Sequence, residues 1–132
     1  MADTLDLTPE LAEIERLNVW YDELCTQAAL DAAVTADMKL CLNEAVANVI
    51  SYGKISSGKI TCTISIDPQN IEVVLSDPGI PFDPTEAPVA TAMDGLETAQ
   101  IGGFGIKLIR ETAREINYRR EDGRNILTLV CA

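Results

Sequence analysis

Histidine is absent from the 132 residues, and this gap removes more chemistry than any other. Without it there is no Ser-His-Asp or Cys-His nucleophile system, no His-bearing zinc site and no phosphorylated histidine. Acid-base work falls to carboxylates, Lys, Tyr or Cys. Basic residues are also scarce: 10 Lys and Arg face 21 Asp and Glu, for a net charge of −11. Such a balance argues against wrapping a phosphate backbone, so no direct nucleic-acid partner is expected. Arg114, Arg119, Arg120 and Arg124 do cluster, but Glu111, Glu115, Glu121 and Asp122 are interleaved with them. That mixture reads as a solvated face or as a local contact for an acidic partner. No stretch approaches the roughly 18 apolar residues of a membrane span. The N-terminal MADTLDLTPELAEIE has no basic segment followed by an apolar run, so neither a membrane nor a secretory signal is expected. Cys25, Cys41, Cys62 and Cys131 have no close pair in sequence, as expected of reduced, mostly buried thiols in a cytoplasmic protein. The length suits one domain, which buries roughly two thirds of its unfolded surface on folding.

What is present falls into two periodicities. Leu11, Ile14, Leu17, Trp20, Tyr21 and Leu24 recur at threes and fours, which predicts a helix over about 9–29 with Thr8 as N-cap and Pro9 in its first turn. A second helix is expected over about 31–52, apolar around much of its circumference, with Gly53 and Ser56-Ser57-Gly58 as its stop. Such breadth fits a helix buried against a sheet on one side and another element on the other. Leu5 and Leu7 alternate with Asp6, which permits a short edge strand without establishing one. The period then becomes two. Ile60, Cys62, Ile64 and Ile66 alternate with Thr and Ser, and after a turn at 67–70 Ile71, Val73 and Leu75 share one face of a return strand. Residues 83–101 have no convincing period, a length that points to a lid or binding loop. A third helix is expected over about 105–114, then a hairpin of 115–120 and 125–131 about a turn at Glu121-Asp122-Gly123-Arg124. These elements assemble most simply as an α+β two-layer sandwich, with the helices on one face of a mostly antiparallel sheet.

Three motifs carry chemistry. In Asn43-Glu44-Ala45-Val46-Ala47-Asn48, Glu44 and Asn48 stand four apart on one helical side. An amide oxygen is a hard ligand for Mg²⁺ and a nearby carboxylate can take a proton from an attacking hydroxyl, although a solvated helix face also carries such pairs. Asp77-Pro78-Gly79-Ile80-Pro81 follows a strand directly. A carboxylate there can accept from an exocyclic amine while the glycine lets backbone approach a planar base, and an ordinary acidic turn has the same composition. Gly102-Gly103-Phe104-Gly105 opens a helix, whose free amides favour anionic oxygens. A glycine hinge reads equally well, and no Walker or dinucleotide fingerprint is present.

Their order distinguishes them. LNEAVANVISYG at 42–53, SDPGIPFDP at 76–84 and GGFGIKLI at 102–109 resemble the N box and the two glycine boxes of the GHKL (Bergerat-fold) ATP-binding superfamily. More narrowly, the chain resembles the anti-sigma-factor serine/threonine-protein kinases of bacterial partner-switching systems, over roughly residues 10–130. The resemblance implies the Bergerat fold, three main helices on one face of a mostly antiparallel mixed sheet, as one histidine-kinase-like ATPase domain over 1–132 with its ATP lid at about 83–101. It implies ATP held with Asp77 at the adenine amine, Gly79 beside the ring and Gly102, Gly103 and Gly105 along the phosphates. Asn48 would ligate Mg²⁺ and Glu44 would be the general base. The implied partners are a small antagonist (anti-anti-sigma-like) protein as phosphoacceptor, a sigma factor in the alternative complex, and a second copy in a homodimer.

The chain departs from the family pattern at four places. Gln100-Ile101 stand where these kinases carry a basic residue, which leaves Lys107 or an arginine elsewhere to meet the phosphoryl charge. Tyr52 replaces a frequent His, Pro81 a frequent Gly, and Gly123-Arg124-Asn125 a Gly-Thr pair. No adenine contact is assigned to Asn125 or Thr128. The expected function is a serine kinase regulating transcription by partner switching. The alternative is a nucleotide-binding interaction protein without phosphotransfer.

Overall fold

The computed structural model describes residues 2–85 and 103–132. Among these, the elements run β1 (Ala2–Leu7), α1 (Glu13–Ala28), α2 (Ala32–Tyr52), β2 (Ile60–Ile66), β3 (Ile71–Asp77), α3 (Gly103–Thr112), β4 (Glu115–Glu121) and β5 (Arg124–Cys131). The strands form one sheet in the order β1-β2-β3-β5-β4. Every described pairing is antiparallel, so the mixed character implied by the resemblance has no parallel pair among the described residues. Alternation assigns the faces: Ile60, Cys62 and Ile64 of β2, Val73 and Leu75 of β3 and Leu127 and Leu129 of β5 are buried. They share one apolar cluster with Leu17 and Tyr21 of α1, Met38, Leu42 and Val46 of α2 and Ile109 of α3. The result is the two-layer sandwich expected of the sequence. Helix α2 touches α1, α3, β3 and β5, which explains its apolar breadth.

Two N-terminal features differ from the sequence expectation. The tentative edge strand is a full one, paired with β2 from Ala2↔Ser65 to Leu7↔Ile60. Leu5 and Leu7 take the helix side, while on the outer side the Thr61 hydroxyl donates to Asp6 Oδ1 at 2.8 Å. Helix α1 then begins at Glu13 rather than at Pro9. Thr8 does not cap it; instead Glu13 Oε1 accepts from the Thr8 backbone N–H at 3.0 Å and from its hydroxyl at 3.2 Å. Arg16 Nε completes the knot, donating to Glu13 Oε2 at 2.9 Å. The carboxylate thus satisfies donors at the strand exit, and the intervening residues are spent on the turn. Asp31, by contrast, caps α2 as a side-chain acceptor, from Ala33 N–H at 2.7 Å.

The β4–β5 hairpin closes through Asp122 and Gly123, both at positive φ (52° and 75°), the backbone of a two-residue turn matched to strand twist. All four cysteines are free, and burial pushes the Cys62 thiol up to about 12, so it packs as a neutral hydrophobe. No helix among the described residues is long and apolar enough to cross a membrane.

The Arg16 contact, reinforced by Thr8, holds the Glu13 carboxyl at about 2, below its ordinary 4.5. A depressed carboxyl contributes stability that is present above the unfolded value and is lost as pH falls through the folded one. Denaturant melts should therefore separate wild type from Glu13→Gln above pH 4.5, with the gap closing as pH drops toward 2. A gap independent of pH would assign the effect to packing instead.

Candidate active site

Strand β3 ends at Asp77, which the alternation turns toward the helices. Asp77 and Asn125 are the buried polar side chains among the described residues, 4% and 6% exposed. The sheet register sets them opposite each other, and Asn125 Nδ2 donates to Asp77 Oδ1 at 3.1 Å. The same Oδ1 accepts the Gly79 N–H at 2.8 Å, so the carboxylate holds the turn that follows it. Burying a carboxylate is tolerable only when such donors surround it. Both of these bonds fall on Oδ1.

The turn is docked as well as tied. Ile80 N–H donates to the Gly53 carbonyl at 2.8 Å, just past the end of α2. A Cβ on Gly79 would lie 2.7 Å from that carbonyl oxygen and 3.1 Å from Gly53 Cα, so two backbones meet where only glycine fits. Gly53, read from sequence as a helix stop, is also the landing for this turn. On the far side Arg120 Nη1 donates to the Gly79 carbonyl at 2.7 Å and to Asn125 Oδ1 at 3.1 Å.

Glu44 and Asn48 share one side of α2, both half-buried, and both approach the start of α3. A Cβ placed on Gly105 would stand 2.5 Å from Glu44 Oε2 and 3.7 Å from Asn48 Nδ2. Glycine at 105 therefore lets the helix opening sit directly against the pair. Asn48, Tyr52, Asp77, Ile80, Phe82 and Asn125 line one cleft, which encloses about 510 Å³ with the space at its mouth included. Ile80 and Phe82 remain 44% and 36% exposed at this cleft, apolar surface that a planar ring can cover. No group of three His, Cys, Asp or Glu among the described residues could hold a metal ion alone. A single amide oxygen with a neighbouring carboxylate fits a Mg²⁺ that arrives with most of its shell supplied by nucleotide phosphates.

The structure thus brings Asn48 and Asp77 to one cleft, packs Gly79 against Gly53, which lines that cleft, and sets Glu44 beside Gly105. Gly103 opens α3; Gly102 and the proposed lid beyond Thr85 lie outside the described residues. Lys107 pairs with Glu111 across 3.9 Å on the exposed side of α3. Arg110 Nε donates to the Pro84 carbonyl at 2.9 Å. The arginines at the chain's end are tied to protein: Arg124 Nε donates to the Ser76 hydroxyl at 2.6 Å and Arg114 Nη1 to Asn70 Oδ1 at 3.2 Å. Thr128 pairs with Val74 and Asn117 on the outer strand face, which removes it from the cleft. Asn125 and Arg120 are the residues that sequence reasoning missed. The signal was available, since each is the polar member of an inward stripe, Asn125 with Leu127 and Leu129, Arg120 with Ile116 and Tyr118.

The two glycine contacts differ in what must yield. At Gly79 it is backbone, so Gly79→Ala should destabilise the fold by about 1–3 kcal/mol and shift the denaturation midpoint. At Gly105 it is the end of a Glu44 side chain, so Gly105→Ala should melt within about 1 kcal/mol of wild type while moving that carboxylate. Equal losses at the two sites would contradict this assignment.

Comparison with known proteins accords with this fold. Over 129 residues the chain is 28% identical to the serine/threonine-protein kinase BtrW of Bordetella bronchiseptica, covering 96% of this chain and 91% of the relative. Among solved structures, the RsbU and RsbW domains of Rv1364c from Mycobacterium tuberculosis superpose with a TM-score of 0.71 at 14% identity. That likeness covers 98% of this chain and 32% of the longer polypeptide. The Acinetobacter baumannii histidine kinase AdeS matches with a TM-score of 0.50 at 18% identity, over 100% of this chain and 67% of that one. At such identities the two structures speak for the fold. The model of the histidine kinase-like ATPase domain matches residues 7–131, a span that takes in α1 through β5 and every residue of the cleft, and the chain belongs to that family.

Proposed function

We propose that this protein is an ATP-dependent serine/threonine-protein kinase of the anti-sigma-factor type. The observation that carries the reading is the buried Asp77 carboxylate at a cleft that Asn48 also lines, with Glu44 beside Asn48 against the first turn of α3. An acceptor-only group at the closed end suits an amino-bearing purine. The helix amides and Gly105 suit anionic phosphates. Mg²⁺, when bound with the nucleotide, supplies charge neutralisation of the phosphate oxygens. In the transfer, a partner's serine oxygen bonds to the γ-phosphorus as the bond to the ADP oxygen breaks, and Glu44 takes the hydroxyl proton. The near full-length similarity to a serine/threonine-protein kinase supports this chemistry over a metabolic ATPase role.

On this reading the phosphoacceptor is a small anti-anti-sigma-like protein, with a sigma factor as the competing partner of a cytoplasmic homodimer that touches neither nucleic acid nor membrane. One observation favours a second reading, a nucleotide-gated binding module without phosphotransfer. Lys107 lies beside Glu111 on the exposed side of α3, and Arg110 gives its Nε to the Pro84 carbonyl, its Nη2 being buried without a partner among the described residues.

Calorimetric titration should show Mg-ATP binding more tightly than Mg-GTP, and Asp77→Asn should weaken ATP binding strongly; equal affinities for the two nucleotides would sink the adenine assignment. Glu44→Gln should retain ATP binding while phosphorylation of a cognate partner falls at least about 10²-fold. If wild type binds Mg-ATP and the partner yet yields no phosphoserine by mass spectrometry, the binding-module reading stands instead.

A further inference from the structure

The amide of Asn125 is saturated. Its two N–H donors go to Asp77 Oδ1 at 3.1 Å and the Ile80 carbonyl at 2.8 Å. Its oxygen accepts the Tyr118 hydroxyl at 2.5 Å, Arg120 Nη1 at 3.1 Å and the Phe82 N–H at 3.3 Å. Reversing the amide would set its NH₂ against the Arg120 and Phe82 donors and its oxygen against the Asp77 carboxylate and the Ile80 carbonyl, so the surroundings fix its orientation. An amide has two donors and one oxygen to offer, and here nothing remains for a ligand.

We infer that Asn125, braced by Arg120 and Tyr118, is a positioning residue that determines nucleobase specificity through Asp77. The inference rests on the ATP-binding reading and deepens it. By holding Oδ1, Asn125 and the Gly79 N–H fix the plane of the carboxylate and leave Oδ2 as the oxygen presented to a base. A 6-amino group donates to that oxygen, whereas a 6-oxo group sets lone pair against lone pair. Arg120 acts on the same turn from outside. Its bond to the Gly79 carbonyl holds the backbone whose N–H is the second donor to Oδ1. Three inward positions of the β4–β5 hairpin, Tyr118, Arg120 and Asn125, thus serve the loop after β3.

ATP and inosine triphosphate test this directly, because their bases differ at the 6-position while sugar and phosphates are the same. Wild type should prefer ATP by a factor on the order of 10² in dissociation constant. In Asn125→Ala that ratio should collapse at least about tenfold, and Asn125→Thr, which restores one hydroxyl donor, should recover part of it. Arg120→Met alters an exposed side chain and keeps the test alive should Asn125→Ala fail to fold; its ratio should fall about threefold. A merely structural role predicts a lower melting point and proportionate weakening toward both nucleotides. An unchanged ratio in folded Asn125→Ala, or in Arg120→Met if the former is unfolded, overturns the inference while leaving ATP binding intact. Failure of wild type to bind ATP would overturn the underlying reading with it.

Discussion

A carboxylate inside an apolar sandwich has to be surrounded by donors, and most of the site's geometry follows from how this chain supplies them to Asp77. One donor comes from two residues ahead, the Gly79 N–H, and one from the facing strand, Asn125 Nδ2. The first curls the chain into a turn at the end of β3. The second fastens that turn to β5, and Asn125 then needs its own partners, which Tyr118, Arg120 and the Phe82 N–H provide. A partly satisfied network of this kind would be worse than an apolar core, so its members stand or fall together.

Where α3 begins, the packing is governed by crowding. Glycine at 105 admits the start of α3 to the side of α2 that carries Glu44 and Asn48, just as glycine at 79 admits the turn to Gly53. Helix α2 is therefore the common wall, meeting the turn after β3 through Gly53 and the start of α3 through Glu44 and Asn48. Its apolar burial against α1, α3, β3 and β5 fixes the two relative to each other. For a chain of net charge −11, binding an anionic nucleotide requires local compensation, which on the proposed reading helix amides and a nucleotide-borne Mg²⁺ would supply without a lysine-rich surface.

Local periodicity made much of this legible in the sequence. The alternation of β2, β3 and β5 and the wide apolar surface of α2 gave both layers, and the three glycine and acid motifs gave the cleft. What escaped depends on partners remote in sequence. β1 is an edge strand because β2 offers it a register, and α1 starts late because Glu13 turns back to Thr8. Asn125 read only as the first residue of the last strand, with no contact assigned to it, and the register places it opposite Asp77. Gly53 has one meaning along the helix and another across space. Such meanings are set by tertiary contact, which no window of neighbouring residues contains.

On the proposed reading, Glu44, Asn48 and Gly105 surround the metal-phosphate end of a bound nucleotide while Asp77, held in place by Asn125, meets its base. Backbone NMR of labelled protein titrated with ATP carrying paramagnetic Mn²⁺ in place of Mg²⁺ tests it most directly. The account predicts that resonances of Glu44, Asn48 and Gly105 broaden first, that Asp77 and Asn125 shift with little broadening, and that β1 is unaffected. Broadening centred elsewhere, or none at saturating nucleotide, would contradict it.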